Sequence, residues 1–287
     1  MRKFAVIDVG SNSVRLMFVA DGKVLYKALN TTRLGEGLAS SGTLKEDAII
    51  RSVNAVVDFY DKAKAEGAEN VYAFATAAVR SANNGQAFVD GVRAMRPLQV
   101  EVISGEEEAE IGILGALGNA DGGVIDVGGA STEIVVKANG ELRFKKSVNI
   151  GVVRLKDKCG RDKDALAQTA KVAAKEYVGF PKTSNLYAIG GTATTIAAQA
   201  LALQEYDPER ITGAVITREK MREIADKLSQ MSVEEIAALP CMPQGRADVL
   251  LGGAVLLATL MQELDVQTLT TSDRDNLEGY AVKRGLL

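Results

Sequence analysis

Histidine is absent from all 287 residues, which removes every mechanism that depends on an imidazole: Ser-His-Asp hydrolysis, His-ligated metals and phosphohistidine intermediates. The remaining acids and bases are carboxylates, lysines, tyrosines and two cysteines. Cys159 and Cys241 have no further cysteine at metal-ligand spacing, so disulfide and zinc readings are poor. Tryptophan is also missing and aromatics make up only 5% of the chain, which leaves no obvious platform for stacking a base. No long apolar run is present. The longest, Val249 to Met261, contains two glycines and falls short of the roughly 18 residues a membrane span needs, so it reads as a buried helix. Only four apolar residues separate Met1-Arg2-Lys3 from Asp8, too few for the core of an export signal, and the expectation is a cytoplasmic protein. Positive charge is not in excess either. With a net charge of −3 the whole-molecule field does not favour DNA, and a phosphate ligand would need a local site of cations and amides.

What the chain does have is an internal repeat. Ile7-Asp8-Val9-Gly10-Ser11-Asn12-Ser13, continued to Tyr26, aligns without gaps at an offset of 118 onto Ile125-Asp126-Val127-Gly128-Gly129-Ala130-Ser131, continued to Phe144, with seven of twenty positions identical. In each copy an apolar strand ends in Asp-Val-Gly, a small-residue turn follows, and a second strand runs to Asp21-Gly22 or Asn139-Gly140, which predicts a hairpin. Each copy thus opens a domain with a three-stranded meander. A capping box is predicted at Thr43 and Glu46 for a helix ending at Gly67, strands over 70–76 and 99–104, and a helix over 105–117. The second half predicts a strand over 185–189, helices over 191–204, 217–230, 232–239 and 243–264, a strand over 268–271 and a last helix over 276–284. Interrupted helical pattern between Leu117 and Asp121 sets the boundary, giving domains 1–118 and 119–287 with a cleft between them; the last helix is free to pack back on the first domain.

Glycine and serine after a strand-ending aspartate let successive amides curl around a phosphate, and a tight hairpin is the plainer alternative for either copy alone. Two copies, with Asp8 and Asp126 at the strand ends, fit a phosphate clamp with Mg2+ between. Glu106, Glu107 and Glu108 follow Ser104-Gly105; carboxylates at a helix start complement its dipole, but without histidine a glutamate at a domain boundary is also a natural base for water. Arg80 closes the small, apolar run from Ala75, and Gly190-Gly191-Thr192 joins a strand to a helix, a geometry that suits phosphate approach.

Together Ile7 to Leu16, Arg33-Leu34-Gly35-Glu36-Gly37, Ala75 to Arg80, Ser104 to Ala109, Asp126 to Glu133, Gly190-Gly191-Thr192 and Gly245 to Asp248 resemble, in order and spacing, the exopolyphosphatase and guanosine pentaphosphate phosphohydrolase (Ppx/GppA) family, over essentially the whole chain. The resemblance implies an α/β fold of two actin-like (ribonuclease H-like) domains and the short, two-domain form. It implies Glu108 as catalytic base with Glu107 beside it, Arg80 on the reacting phosphate, and Asp126 and Glu133 as Mg2+-binding acids. Gly10, Ser11, Asn12 and Ser13 match the first phosphate loop and Gly128, Gly129, Ala130 and Ser131 the second, with Ala130 where many members have a third glycine. Arg33 and Arg154 are further candidates for the cleft. The implied substrate is polyphosphate, with guanosine pentaphosphate as the alternative; a kinase of the same superfamily and a non-catalytic phosphate sensor are the rival readings. Family members are often homodimers.

Overall fold

Both predicted hairpin turns form in the computed structural model, which describes residues 3–181 and 186–287. Asp21 and Gly22 have φ of 49° and 74°, and Asn139 and Gly140 have 56° and 75°, the left-handed pair that a two-residue hairpin of this twist demands. The first half runs β1 (Lys3–Val9), β2 (Ser13–Ala20), β3 (Lys23–Thr31), α1 (Leu38–Ser41), α2 (Glu46–Ala65), β4 (Asn70–Ala75), α3 (Ala77–Ser81), α4 (Gly85–Met95), β5 (Val100–Val102) and α5 (Gly105–Leu117). The second runs β6 (Gly122–Val127), β7 (Thr132–Ala138), β8 (Glu141–Val148), α6 (Val152–Cys159), α7 (Lys163–Ala174), β9 (Leu186–Ile189), α8 (Gly190–Ala200), α9 (Pro208–Ile211), β10 (Val215–Thr217), α10 (Arg218–Gln230), α11 (Val233–Ala237), α12 (Ala247–Glu263), β11 (Thr268–Thr271) and α13 (Asn276–Lys283).

Two mixed sheets result, ordered β3-β2-β1-β4-β5 and β10-β11-β9-β6-β7-β8. In each, the meander is antiparallel and the strand after the first helical crossover pairs in parallel with the meander's first strand. The register places Asp8 opposite Arg15 in one hairpin and Asp126 opposite Glu133 in the other.

The helical excursions pack on these sheets through the residues that periodicity marks. In α2, Val53, Val56 and Val57 are buried against the first sheet's core. The expected Thr43 capping box does not form: Lys45 takes the cap position without a side-chain bond, because Asn84 pins the Leu44 backbone by both its N–H (2.7 Å) and its carbonyl (2.9 Å). The apolar run in α12 is buried as expected, but this helix starts at Ala247, after Gly245 turns the chain at φ 74°. Helices α6 and α7 answer no sequence prediction. The first residue of the expected strand 185–189 lies outside the described residues. Among the described residues no helix is long and apolar enough to cross a membrane.

Helices α5 and α13 tie the two halves together. Ala109 and Ile113 of α5 are buried with Val124, Val135 and Ile189 of the second sheet, while Leu277 and Tyr280 of α13 are buried with Phe4, Met17 and Phe74 of the first. Each side chain of that size withdrawn from water contributes about 1.5–3 kcal/mol, and Tyr280 also stacks on Phe74 with ring centroids 4.7 Å apart. The two helices cross at glycines. A Cβ on Gly279 would fall on the Ile111 carbonyl, and one on Gly115 would fall on the Asp275 carbonyl, so no larger residue permits this approach.

Candidate active site

The two small-residue loops have the same hydrogen bond at the same place: the Gly10 N–H donates to the Ser13 carbonyl at 3.0 Å, and the Gly128 N–H donates to the Ser131 carbonyl at 3.0 Å. Each is held from outside by main-chain bonds, the first from Thr32, Arg33 and Gly35, the second from Val152 and Val153. The loops face each other so closely that a Cβ on Gly129 would meet the Ser11 Cβ at 2.7 Å. Between them lies a cavity of about 90 Å³ lined by both loops, by Asp8, Asp126 and Glu108, and by Gly190, Gly191 and Thr192.

Of the three consecutive glutamates, the helix cap decides which one enters. Ser104 caps α5 by accepting the Glu107 N–H, and the Glu107 carboxylate returns to the Ser104 N–H at 3.1 Å, a reciprocal box that keeps Glu107 exposed. Glu106 is exposed and pairs with Lys145 at 3.1 Å. Glu108, next in the turn, is buried and accepts a 3.0 Å hydrogen bond on Oε2 from Arg80 Nη1. The expectation that Glu107 sits beside the base in the site is therefore corrected. Arg80 is itself fixed by a 2.8 Å bond to the Ile103 carbonyl. Burial drives the Glu108 carboxyl well above the usual carboxylate range; nearby Glu133 adds to the rise and Arg80 opposes it.

The two strand-ending aspartates have different surroundings. Asp8 Oδ2 is held by the Arg15 guanidinium, which also reaches Asp275, so the first loop carries its own cation. Asp126 faces Glu133 instead, and its hydrogen-bond partner is a neutral amide. Burial, with Glu108 close by, pushes Asp126 up to about 8, and burial, with Asp126 close by, pushes Glu133 up to about 7. Asn276 donates to Asp126 Oδ2 at 2.9 Å and Ser147 donates to Glu133 Oε1 at 2.6 Å, while Glu133 Oε2 and Asp8 Oδ1 are buried without partners.

Among the described residues, no three acidic, cysteine or histidine side chains converge on one point, so Asp8, Asp126 and Glu133 do not form the expected common cage. The oxygen donors still suit Mg2+, which keeps several waters and usually takes only one or two carboxylates from the protein. A buried carboxylate pair with raised affinity for protons and an orphaned oxygen is such a donor set.

Of the other sequence candidates, Arg33 and Arg154 fall outside the cavity, and Arg80 and Glu133 are not among its lining residues. The Arg33 side chain turns to Asp248 at 3.0 Å and serves the first loop only through its main-chain N–H. Arg154 donates to Ser81 at 3.1 Å. Thr192 lines the cavity, but its hydroxyl donates to the Val127 carbonyl at 3.1 Å, so it braces the turn. Sequence reasoning missed Arg15, Arg246 and Asn276 as lining residues. Arg15 had a signal, a charge inside an otherwise apolar strand, and Arg246 stood inside a matched motif without a role; Asn276 had no signal at its own position.

Two hairpin-led α/β halves, each built on a mixed sheet, close their glycine loops on one acid-lined cavity. The Ppx/GppA phosphatase family matches residues 5–286, and the chain belongs to that family, whose members are phosphoanhydride hydrolases. It is 31% identical to exopolyphosphatase 2 of Mycobacterium tuberculosis, with 98% of each chain covered. It is 28% identical to the guanosine-5'-triphosphate,3'-diphosphate pyrophosphatase of Vibrio cholerae, over 99% of this chain and 58% of that one. The crystal structure of the Aquifex aeolicus Ppx/GppA family member superimposes with a TM-score of 0.80 at 28% identity, covering 99% and 98% of the two chains.

Proposed function

We propose that the protein is an exopolyphosphatase that releases terminal orthophosphate from inorganic polyphosphate by in-line attack of water. The observation that carries this is Glu108: a buried carboxylate paired with Arg80, at the edge of a cavity made from two matched anion-receiving loops.

The backbone N–H groups that follow Gly10 and Gly128 in the two loops supply neutral donors for the terminal phosphoryl oxygens, and the bracing of the loops fixes them before the ligand arrives. Arg80 meets developing charge on the reacting group with a planar guanidinium already anchored to Ile103. Glu108 orients a water and takes its proton at Oε1 or Oε2; burial raises its proton affinity above that of an ordinary carboxylate, which makes it a stronger base. Asp126 and Glu133 would hold Mg2+, which when bound offsets phosphate charge. Positioned proton transfer accounts for about 10² to 10⁴ in rate, so the larger share falls to the loops and Arg80. The similarity to exopolyphosphatase 2 over nearly all of both chains supports this reading.

One observation favours guanosine pentaphosphate as a second reading. A larger cavity of about 760 Å³ opens beside the first at Arg15, Gly190, Gly191 and Arg246, and Val24, Leu25, Leu29 and Tyr206 give it apolar walls that a phosphate chain has no use for. Orthophosphate release measured with both substrates at matched Mg2+ tests the proposal. A higher kcat/KM for polyphosphate supports it, and a preference for the nucleotide replaces it with the second reading.

A further inference from the structure

Asp275 and Asn276 belong to no motif that marks the site, yet these two consecutive residues at the start of α13 reach both strand-ending aspartates. Asn276, buried, donates directly to Asp126 Oδ2 at 2.9 Å. Asp275, also buried, binds the Arg15 guanidinium, and the other edge of that guanidinium binds Asp8. Asp8 lies in the first sheet, Asp126 in the second, and Asp275-Asn276 comes from far along the chain in both cases. Nothing in either hairpin alone fixes how the two carboxylates stand relative to one another. One short segment bound to both of them does.

The same segment is itself unusually well anchored. Asp275 is the cap of α13: its Oδ1 accepts the Leu277 N–H at 3.0 Å, and its own N–H donates to Glu278 at 3.0 Å. Glu278 is held by Lys27 of β3 at 2.7 Å. Below it, the helix is pressed on α5, the helix that carries Glu108, at the Gly115 and Gly279 crossing. The cap, the ion pair and the crossing all leave Asp275 a single position from which to hold Arg15.

We infer that Asp275 and Asn276 are positioning residues that set Asp8, through Arg15, and Asp126, directly, in the mutual arrangement that cation and phosphate binding require. This rests on the proposed hydrolase reading. Groups that orient ligating carboxylates typically govern metal affinity or activity by about 10- to 100-fold.

The test uses the full chain with polyphosphate and Mg2+. Asp275→Asn keeps a good helix cap but loses the charge that holds Arg15. Asn276→Asp keeps the shape but sets a carboxylate against Asp126. Each should lower kcat about 10- to 100-fold and raise the Mg2+ concentration for half-maximal rate by a similar factor, with little change in KM for polyphosphate. The rise in melting temperature on adding Mg2+ with orthophosphate should shrink in both, a readout independent of turnover. In an Arg15→Met background, Asp275→Asn should cost almost nothing further. Wild-type kcat and Mg2+ dependence in both variants would overturn the inference, as would a full Asp275→Asn loss in the Arg15→Met background or losses that track a lowered melting temperature alone. A wild-type protein that releases no orthophosphate from either polyphosphate or guanosine pentaphosphate would instead remove the hydrolase reading beneath it.

Discussion

Arg15 and Glu133 occupy the same position of the two repeats, 118 residues apart, each directly across the hairpin from its strand-ending aspartate. The duplication therefore yields one hairpin that neutralises itself and one that does not. Asp8 with Arg15 is an ion pair; Asp126 with Glu133 is a buried pair of acids waiting for positive charge.

That asymmetry predicts the pH dependence of stability. Asp126 has a folded-state pKa of about 8 against an ordinary value of 3.8, so the folded state binds its proton more tightly than the unfolded state. The resulting stabilisation is fully present below about pH 4 and is lost as pH rises through about 8. In chelator at about pH 8, Asp126→Asn removes a buried charge and should stabilise the fold by up to a few kcal/mol, seen as a higher melting temperature. Near pH 4, where Asp126 is already neutral, the substitution should change stability little. Thermal melts of both proteins at the two pH values check this.

Arg80 combines two tasks, anchoring on the Ile103 carbonyl and pairing with Glu108. Arg80→Ala should lower kcat/KM for polyphosphate about 10²- to 10³-fold, the loss expected for one preorganised donor at developing charge. It should also move the acidic limb of the pH-rate profile upward, because the cation that lowers the Glu108 pKa is gone. Arg80→Lys should recover little, since a single ammonium cannot serve both partners with the guanidinium's geometry. Steady-state rates across the neutral and alkaline range measure all three effects.

The α5 and α13 crossing predicts a large response to one methyl group. Gly279→Ala places its Cβ on the Ile111 carbonyl, so the helices must part. The cost should be about 1–3 kcal/mol or more, seen as a lowered denaturation midpoint. Activity should fall as well, since the displaced helices carry Glu108, Asp275 and Asn276. Gly118→Ala, with open space around its Cβ but a left-handed φ of 57°, should be milder and leave turnover near that of the parent protein.

The hairpins, their turns and the α5 boundaries were legible because each rests on local chemistry: left-handed φ at Asp21-Gly22 and Asn139-Gly140, and a serine cap at Ser104. The Thr43 box does not form because a long-range partner, Asn84, decides that segment's backbone. The two loops, Glu108 and Asp126 could be placed in one site from the repeat and the family resemblance, but the choice of Glu108 over Glu107 as the inward carboxylate is made by the cap. Arg33 was placed in the cleft by its motif; its side chain answers to Asp248, a contact far along the chain that no local pattern shows. Asn276 and Asp275 stayed hidden for the same reason.

Turnover by Glu108→Gln measures the central claim most directly. The substituted amide preserves the shape of the side chain and an oxygen for Arg80 but cannot accept the water's proton, so orthophosphate release from polyphosphate should fall about 10²- to 10⁴-fold while polyphosphate binding stays within a few-fold of the parent protein. Undiminished kcat in Glu108→Gln would contradict the account.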